Sequence, residues 1–325
     1  MRVAGPGVPE ECPGRATLET MSGRILITGA GGQLGSHLTA RAAREGRDTQ
    51  AFTSSQWDVT DPGAAERIIQ SGDVVVNCAA YTDVDGAETD EARCYAVNAT
   101  GPEHLARACA RAGARLIHVS TDFVFGGDFG DAQPRPYEPS DPTQPRGVYA
   151  CSKLTGERAV LQTLPEAVVV RTAWVYTGGA GKDFVAVMRR LAAGDGPVDV
   201  VDDQTGSPTY VVDLAAAVLQ VVDCLDESHV RGRILHAANQ GAVSRFGQAR
   251  AVFEECGADP QRVRPVSSAQ FPRPAPRPCY SALSGREWAA AGFAPLRPWR
   301  SALVAALAAA RRGAAVDPAL PSTRD

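Results

Sequence analysis

The stretch "GRILITGAGGQLG", residues 23–35, decides the fold. Its apolar, β-branched run around Ile25–Thr28 predicts a short buried strand. Gly29, Gly32 and Gly35 then recur every third residue, immediately before a segment with helical periodicity at 34–45. Glycines at such a turn let the backbone approach a diphosphate closely, and the following helix presents its unpaired N–H groups and positive dipole end to the anion. A glycine triplet alone also suits a tight turn packed on a helix; the strand before it and the helix after it favour a dinucleotide site.

The same alternation continues downstream. Short apolar runs at 24–29, 74–80, 115–121 and 167–174 are continuous rather than alternating, which predicts strands buried on both faces of a parallel sheet. Segments 34–45, 86–111 in two pieces, and 149–164 suit crossover helices. The expectation is an α/β protein with a doubly wound parallel sheet, a Rossmann domain over residues 23–174. After residue 175 the pattern loosens into glycine- and proline-bearing loops, predicting a smaller C-terminal lobe over 175–312 that mainly binds substrate while contributing to the sheet. Residues 1–22 show no periodicity and are expected to form a disordered leader, with Met21 a candidate natural start; 313–325 are expected to fray.

Composition narrows the function. A formal charge of −4 and a pI near 5.8 supply no basic field, so nucleic acid is not an expected partner. The eight cysteines stand singly without a C-x-x-C pair, which favours reduced thiols and gives a metal site no support. Nowhere do 18 apolar residues run together, so no membrane span is expected, and the reading is a cytoplasmic protein.

At the end of the second strand, where a carboxylate would bind the adenosine ribose hydroxyls, the sequence has Thr53 and Ser54. Without an acid to repel a 2′-phosphate, NADPH is accommodated as cofactor, and NADH is not excluded. Asp58 reads equally as a residue bracketing the adenine and as a turn or cap residue.

"YACSKLTGE", residues 149–157, places Tyr149 and Lys153 four apart, on one face of a predicted helix. Lys153 is one of two lysines in a chain with thirty-one arginines. A phenol with its ordinary pKa near 10 exchanges protons poorly at neutral pH, and a neighbouring ammonium would lower it. Lysine's compact charge suits this role better than arginine's planar fork. Ser120 and Thr121 lie at the C-terminal end of a central strand, where ligands of open α/β sheets bind.

Together these residues resemble the extended short-chain dehydrogenase/reductase family and, within it, the dTDP-4-dehydrorhamnose reductase group. The likeness runs through "TGAGGQLG", "VNCAAYTDVDGAE", "ARLIHVSTDFVFGG", "GVYACSKLTGE", "RTAWVY", "VVDDQTGSPTY" and "PRPCYSAL", over about residues 24–300. It implies a catalytic triad of Thr121, Tyr149 and Lys153. It also implies cofactor contacts from Gly29, Gly32, Gln33, Leu34, Gly35, Asp58, Val59, Ala79, Ala80, Tyr81, Asn98 and Val119, and from Tyr149 and Lys153. Asp122 and Trp174 would face the sugar nucleotide beside Thr121. The reaction implied is NAD(P)H-dependent reduction of the C4 ketone of a dTDP-4-keto-6-deoxyhexose, by an enzyme compatible with a homodimer.

One departure is Phe123, in "STDFVF", where a tyrosine is usual; another is Ala150-Cys151 inside the Tyr–Lys motif. Phe123 cannot exchange a proton, which favours simple ketone reduction over dehydration. Arg273 and Arg277 are candidate partners for the substrate's diphosphate. Trp174 offers the sugar or base a flat apolar surface, or else fills the core. Two other readings remain: a sugar-nucleotide epimerase of the same fold, marked by isomer formation without net NADPH consumption, and a non-catalytic NADP-binding regulatory subunit, which would have no need of Thr121, Tyr149 and Lys153.

Overall fold

The structure, a computed structural model, describes residues 23–179 and 181–316; the expected leader and the chain from 317 onward lie outside the described residues. In the first half β1 (Ile25–Thr28), α1 (Gln33–Arg44), β2 (Thr49–Phe52), α2 (Pro62–Ile68) and β3 (Val74–Asn77) alternate strand with helix. The segment expected to give two helical pieces holds α3 (Glu91–Tyr95), a π-helical turn at Ala96–Thr100 and α4 (Gly101–Ala112). Then come β4 (Arg115–Thr121), α5 (Val148–Thr163) and β5 (Val168–Thr172).

The second half is more broken: β6 (Val175–Tyr176), α6 (Phe184–Ala192), β7 (Val198–Val201), β8 (Thr205–Gly206), β9 (Thr209–Tyr210) and α7 (Val211–Asp223). These are followed by β10 (Ile234–His236), β11 (Val243–Ser244), α8 (Arg245–Glu255), β12 (Val263–Val266), α9 (Arg286–Ala290) and α10 (Trp299–Val316). α10 therefore runs four residues past Arg312, where the sequence reading began the tail.

Six parallel strands form the main sheet in the order β10-β5-β4-β3-β1-β2. The chain goes from β1 outward to β2, then returns to the other side of β1 as β3. That reversal opens a crevice beyond the C-terminal ends of β1 and β3, where open α/β sheets bind ligands. The two-residue period of a strand sorts its side chains between the helical layers. Ile25 and Ile27 of β1 pack in one core with Leu38 of α1 and Leu214 and Val218 of α7, whereas Leu26 packs in a second with Leu105 of α4 and Val160 of α5. Residues past 175 thus reach back into the first half, α7 against α1 and β10 beside β5. Between β5 and α5 a two-pronged ion pair, Arg171 to Glu157 at 2.7 and 2.9 Å, is buried on both sides.

Candidate active site

The glycine turn is built for close approach. Gly29 has φ +66°, and a Cβ there would stand 2.6 Å from the Ala79 backbone nitrogen, so the chain leaving β3 tolerates no side chain. A Cβ on Gly35 would meet the Gly29 carbonyl oxygen at 2.3 Å, which is how α1 presses onto the turn. No side chain caps the start of α1, and its first turn contains no acid. Its free N–H groups and uncompensated dipole fit the diphosphate of a dinucleotide.

A cleft of about 960 Å³ runs from this turn across the ends of β3, β4 and β5. Gly29, Gly32, Gln33, Leu34, Gly35, Thr53, Ser54, Asp58, Val59, Ala79, Ala80, Tyr81 and Val119 line it, together with Thr121, Asp122, Tyr149, Lys153 and Trp174. Asn98 is placed behind the wall. Fully buried in the π-helical turn, it accepts from the Tyr81 N–H at 2.8 Å and donates to the Tyr81 carbonyl at 3.1 Å, so it shapes the Tyr81 segment through hydrogen bonds.

Thr53 is held by Gln56, its N–H and hydroxyl donating to Oε1 at 2.9 and 3.0 Å. The Asp58 carboxylate accepts from the N–H and hydroxyl of Thr60, at 2.9 and 2.7 Å, which holds its pKa below the ordinary value; Arg93 adds to the effect. Asp58 is therefore a turn residue and a cleft residue at once. Arg93, which the sequence reading missed, also lines the cleft.

At the centre, Thr121 ends β4 and Tyr149 sits in the first turn of α5. Gly147, at φ +81°, turns the chain into α5, whose Val148 N–H donates to Glu88 Oε1 at 2.8 Å. The Thr121 side chain neighbours the Tyr149 phenol, and the Phe123 ring stands edge-on to Tyr149 with centroids 5.6 Å apart. Lys153, 2% exposed, donates from Nζ to the Val119 carbonyl at 2.7 Å.

The electrostatics correct one expectation. Burial pushes the Tyr149 phenol up to about 12; the neighbouring Thr121 side chain pulls the other way, and the Asp122 charge adds to the rise. The anticipated lowering by Lys153 is not found: desolvation of the phenolate dominates, and Lys153 is not among the groups that shift it. Burial acts on Lys153 too, lowering it to about 8 against the pull of Glu157.

Asp122 is 2% exposed and accepts from Ser281 Oγ at 2.5 Å and from Thr121 Oγ1 at 3.2 Å. Burial pushes its carboxyl up to about 6 despite both hydrogen bonds. Trp174 is the one non-glycine with positive φ among the described residues, at +45°. Its indole lies against Gly206, where a Cβ would stand 2.4 Å from Cε2, and the Arg245 guanidinium lies 3.5 Å from a Trp174 ring centroid. Of the two arginines suggested for the diphosphate, Arg277 lines the cleft; Arg273 is exposed and pairs with Asp85 at 3.5 Å. Arg245 and Ser281 were missed. "PRPCYSAL", which contains Ser281, was among the recognised motifs, whereas nothing local distinguishes Arg245 from the other arginines.

Residues 23–312 match the family model described as the RmlD substrate binding domain. The chain is 77% identical over 304 residues to the dTDP-4-dehydrorhamnose reductase of Mycobacterium tuberculosis, covering 94% of this chain and 99% of that protein. A crystal structure of a dTDP-4-dehydrorhamnose reductase from Clostridium acetobutylicum superposes with a TM-score of 0.81 at 34% identity, over 89% of this chain and 99% of that one. One from Bacillus anthracis, in complex with NADP, superposes with a TM-score of 0.78 at 32% identity, over 87% and 97%.

Proposed function

The chain belongs to the RmlD substrate binding domain family, and from that premise we propose that it is a sugar-nucleotide 4-ketoreductase that uses NADPH to reduce the C4 ketone of a dTDP-4-dehydro-6-deoxyhexose. The observation that carries this reading is that Thr121, Tyr149 and Lys153 line the same cleft as the glycine turn. The cofactor's contribution when bound is a hydride for the C4 carbon.

Gly29, Gly32 and the start of α1 hold the cofactor's diphosphate, while Thr53, Ser54 and Asp58 meet its adenosine end. Tyr149 passes its phenolic proton to the C4 oxygen as the C–H bond forms, so the ketone becomes a secondary alcohol and the tyrosine a phenolate. A phenol raised to about 12 is fully protonated at neutral pH and ready to donate. The phenolate left behind is buried and needs stabilising, which the Thr121 hydroxyl and the Lys153 ammonium supply from fixed positions. Asp122, held by Ser281, and Trp174, held over Gly206, orient the sugar.

The test is NADPH oxidation with a dTDP-4-dehydro-6-deoxy sugar, with the product identified by NMR. Tyr149→Phe should lower kcat by about 10²–10⁴-fold and leave NADP⁺ affinity unchanged. Near-native turnover would remove the acid from Tyr149, and isomer formation without NADPH consumption would favour an epimerase. A cytoplasmic location is part of this reading, supported by the seven described cysteines, all free thiols.

A further inference from the structure

One carboxylate ties Thr121 to the C-terminal part of the chain. Thr121 Oγ1 donates to Asp122 Oδ1 at 3.2 Å and accepts from the Phe123 N–H at 3.2 Å, while Ser281 Oγ donates to Asp122 Oδ2 at 2.5 Å. Thr121, Asp122 and Ser281 are all buried, so water does not compete freely for these bonds. A hydroxyl 2.5 Å from a carboxylate oxygen makes a charge-assisted hydrogen bond, which marks the Ser281 link as the firm end of the relay.

A threonine hydroxyl has one proton and two lone pairs. Here the proton goes to Asp122 and one lone pair to the Phe123 N–H, which leaves the second lone pair for the neighbouring Tyr149 phenol. The direction of that lone pair is therefore set by where Asp122 stands. Asp122 has a competing attraction, because the Arg245 guanidinium draws its carboxylate through space. Ser281 holds it back, and Ser281 is itself fixed through the backbone: its N–H donates to the Thr205 carbonyl at 2.8 Å, and the adjoining Ala282 carbonyl accepts from the Tyr137 N–H at 2.8 Å.

We propose that Ser281 and Asp122 are positioning residues for the reduction: Ser281 fixes the Asp122 carboxylate, and Asp122 aims the Thr121 hydroxyl at the Tyr149 phenol. This deepens the functional reading above and rests on it, since a serine remote in the chain then governs the geometry of proton transfer. As Tyr149 gives its proton to the C4 oxygen, the Thr121 proton turns from Asp122 to the phenolate. The Ser281 bond keeps the buried carboxylate from being left without a donor meanwhile. No covalent bond of Thr121, Asp122 or Ser281 breaks; only the direction of one hydrogen bond changes.

A double-mutant cycle tests this, with kcat for NADPH oxidation on a dTDP-4-dehydro-6-deoxy sugar measured in the full-length protein. Ser281→Ala should lower kcat about tenfold or more, while dTDP and NADP⁺ affinities, measured by calorimetry, stay within about twofold of the parent. Ser281→Cys, which keeps a weak donor, should lose less. In a Thr121→Val background Ser281→Ala should change kcat by less than about twofold, because no hydroxyl is left to aim. A Ser281→Ala effect that persists undiminished in that background, as a merely structural role would give, overturns the proposal, and so does a Ser281→Ala kcat equal to the parent's. A crystal structure of Ser281→Ala reads the same relay without turnover. The Asp122 carboxylate should swing toward Arg245 and away from Thr121; an Asp122–Thr121 pair that keeps its place overturns the proposal. If the parent protein consumes no NADPH with the sugar, the functional reading falls and the crystal structure decides the relay; reduction insensitive to Ser281 sinks the relay and leaves that reading standing.

Discussion

Lys153 donates from Nζ to the backbone carbonyl of Val119 at 2.7 Å, so the ammonium is tied to β4, on the same side of the cleft as the phenol one turn behind it. The cost of burying it lies in the pKa, lowered from 10.5 to about 8. A folded-state value below the unfolded one means that the folded chain binds fewer protons between these pH values. The destabilisation is therefore complete below pH 8 and disappears as pH rises past 10.5. The difference of 2.5 units corresponds to about 3 kcal/mol, against about 1 kcal/mol for the Val119 hydrogen bond.

Lys153→Met should accordingly be more stable by about 1–2 kcal/mol at pH 7, and the gain should shrink toward pH 10. The same variant should lose NADPH turnover by at least about 100-fold. Urea denaturation at the two pH values, alongside steady-state rates, checks both; a variant less stable at pH 7 would contradict the burial argument.

The pH profile of kcat/KM should carry an alkaline limb near pH 8. Deprotonation of Lys153 there removes the charge that stabilises the outgoing phenolate, whereas Tyr149 itself, at about 12, titrates far higher. Activity should fall as pH rises through about 8; a plateau extending to pH 10 would show that the ammonium is not used.

Gly206→Ala tests the seat of Trp174. The added Cβ would lie 2.4 Å from Cε2 of the indole, which must move. Overpacking of this kind costs about 1–3 kcal/mol. KM for the sugar nucleotide should rise about tenfold or more, with NADP⁺ affinity, measured by fluorescence titration, unchanged.

Glu157→Gln breaks a buried ion pair and leaves Arg171, 2% exposed, without a counter-charge. The expected loss is about 3–5 kcal/mol in chemical denaturation. Replacing both partners by methionine should recover much of it, since neither buried charge then remains. A loss below about 1 kcal/mol in the single variant would show that water reaches the pair.

Features that depend on near neighbours in the chain were legible from the residues. Buried parallel strands write themselves as continuous apolar runs, as in "VVVN" and "AVVVRT". The Gly29–Gly35 turn and the Tyr149–Lys153 spacing each lie within one turn and helix, so local geometry carries their meaning. Asp58 was legible only in part, because its dual role as turn residue and cleft wall needs the cleft to be drawn. Asn98, taken for a cofactor contact, stands behind the wall because the π-helical turn directs its amide at the Tyr81 backbone.

Residues whose partners are remote in the chain were not legible. Ser281 reaches Asp122 across 159 positions, and Arg245 meets Trp174 only once α8 and β5 have been brought together. By itself, the sequence determined the alternation of strands and helices up to residue 174, the Gly29–Gly35 turn and the Tyr149–Lys153 spacing, because backbone sterics and helical periodicity act over a few residues. Tertiary structure alone decided the proton affinities of Tyr149, Lys153 and Asp122 and the stacking of Arg245 on Trp174. Desolvation and charge–charge energies depend on what the fold packs around a group, and no spacing in the chain encodes that directly.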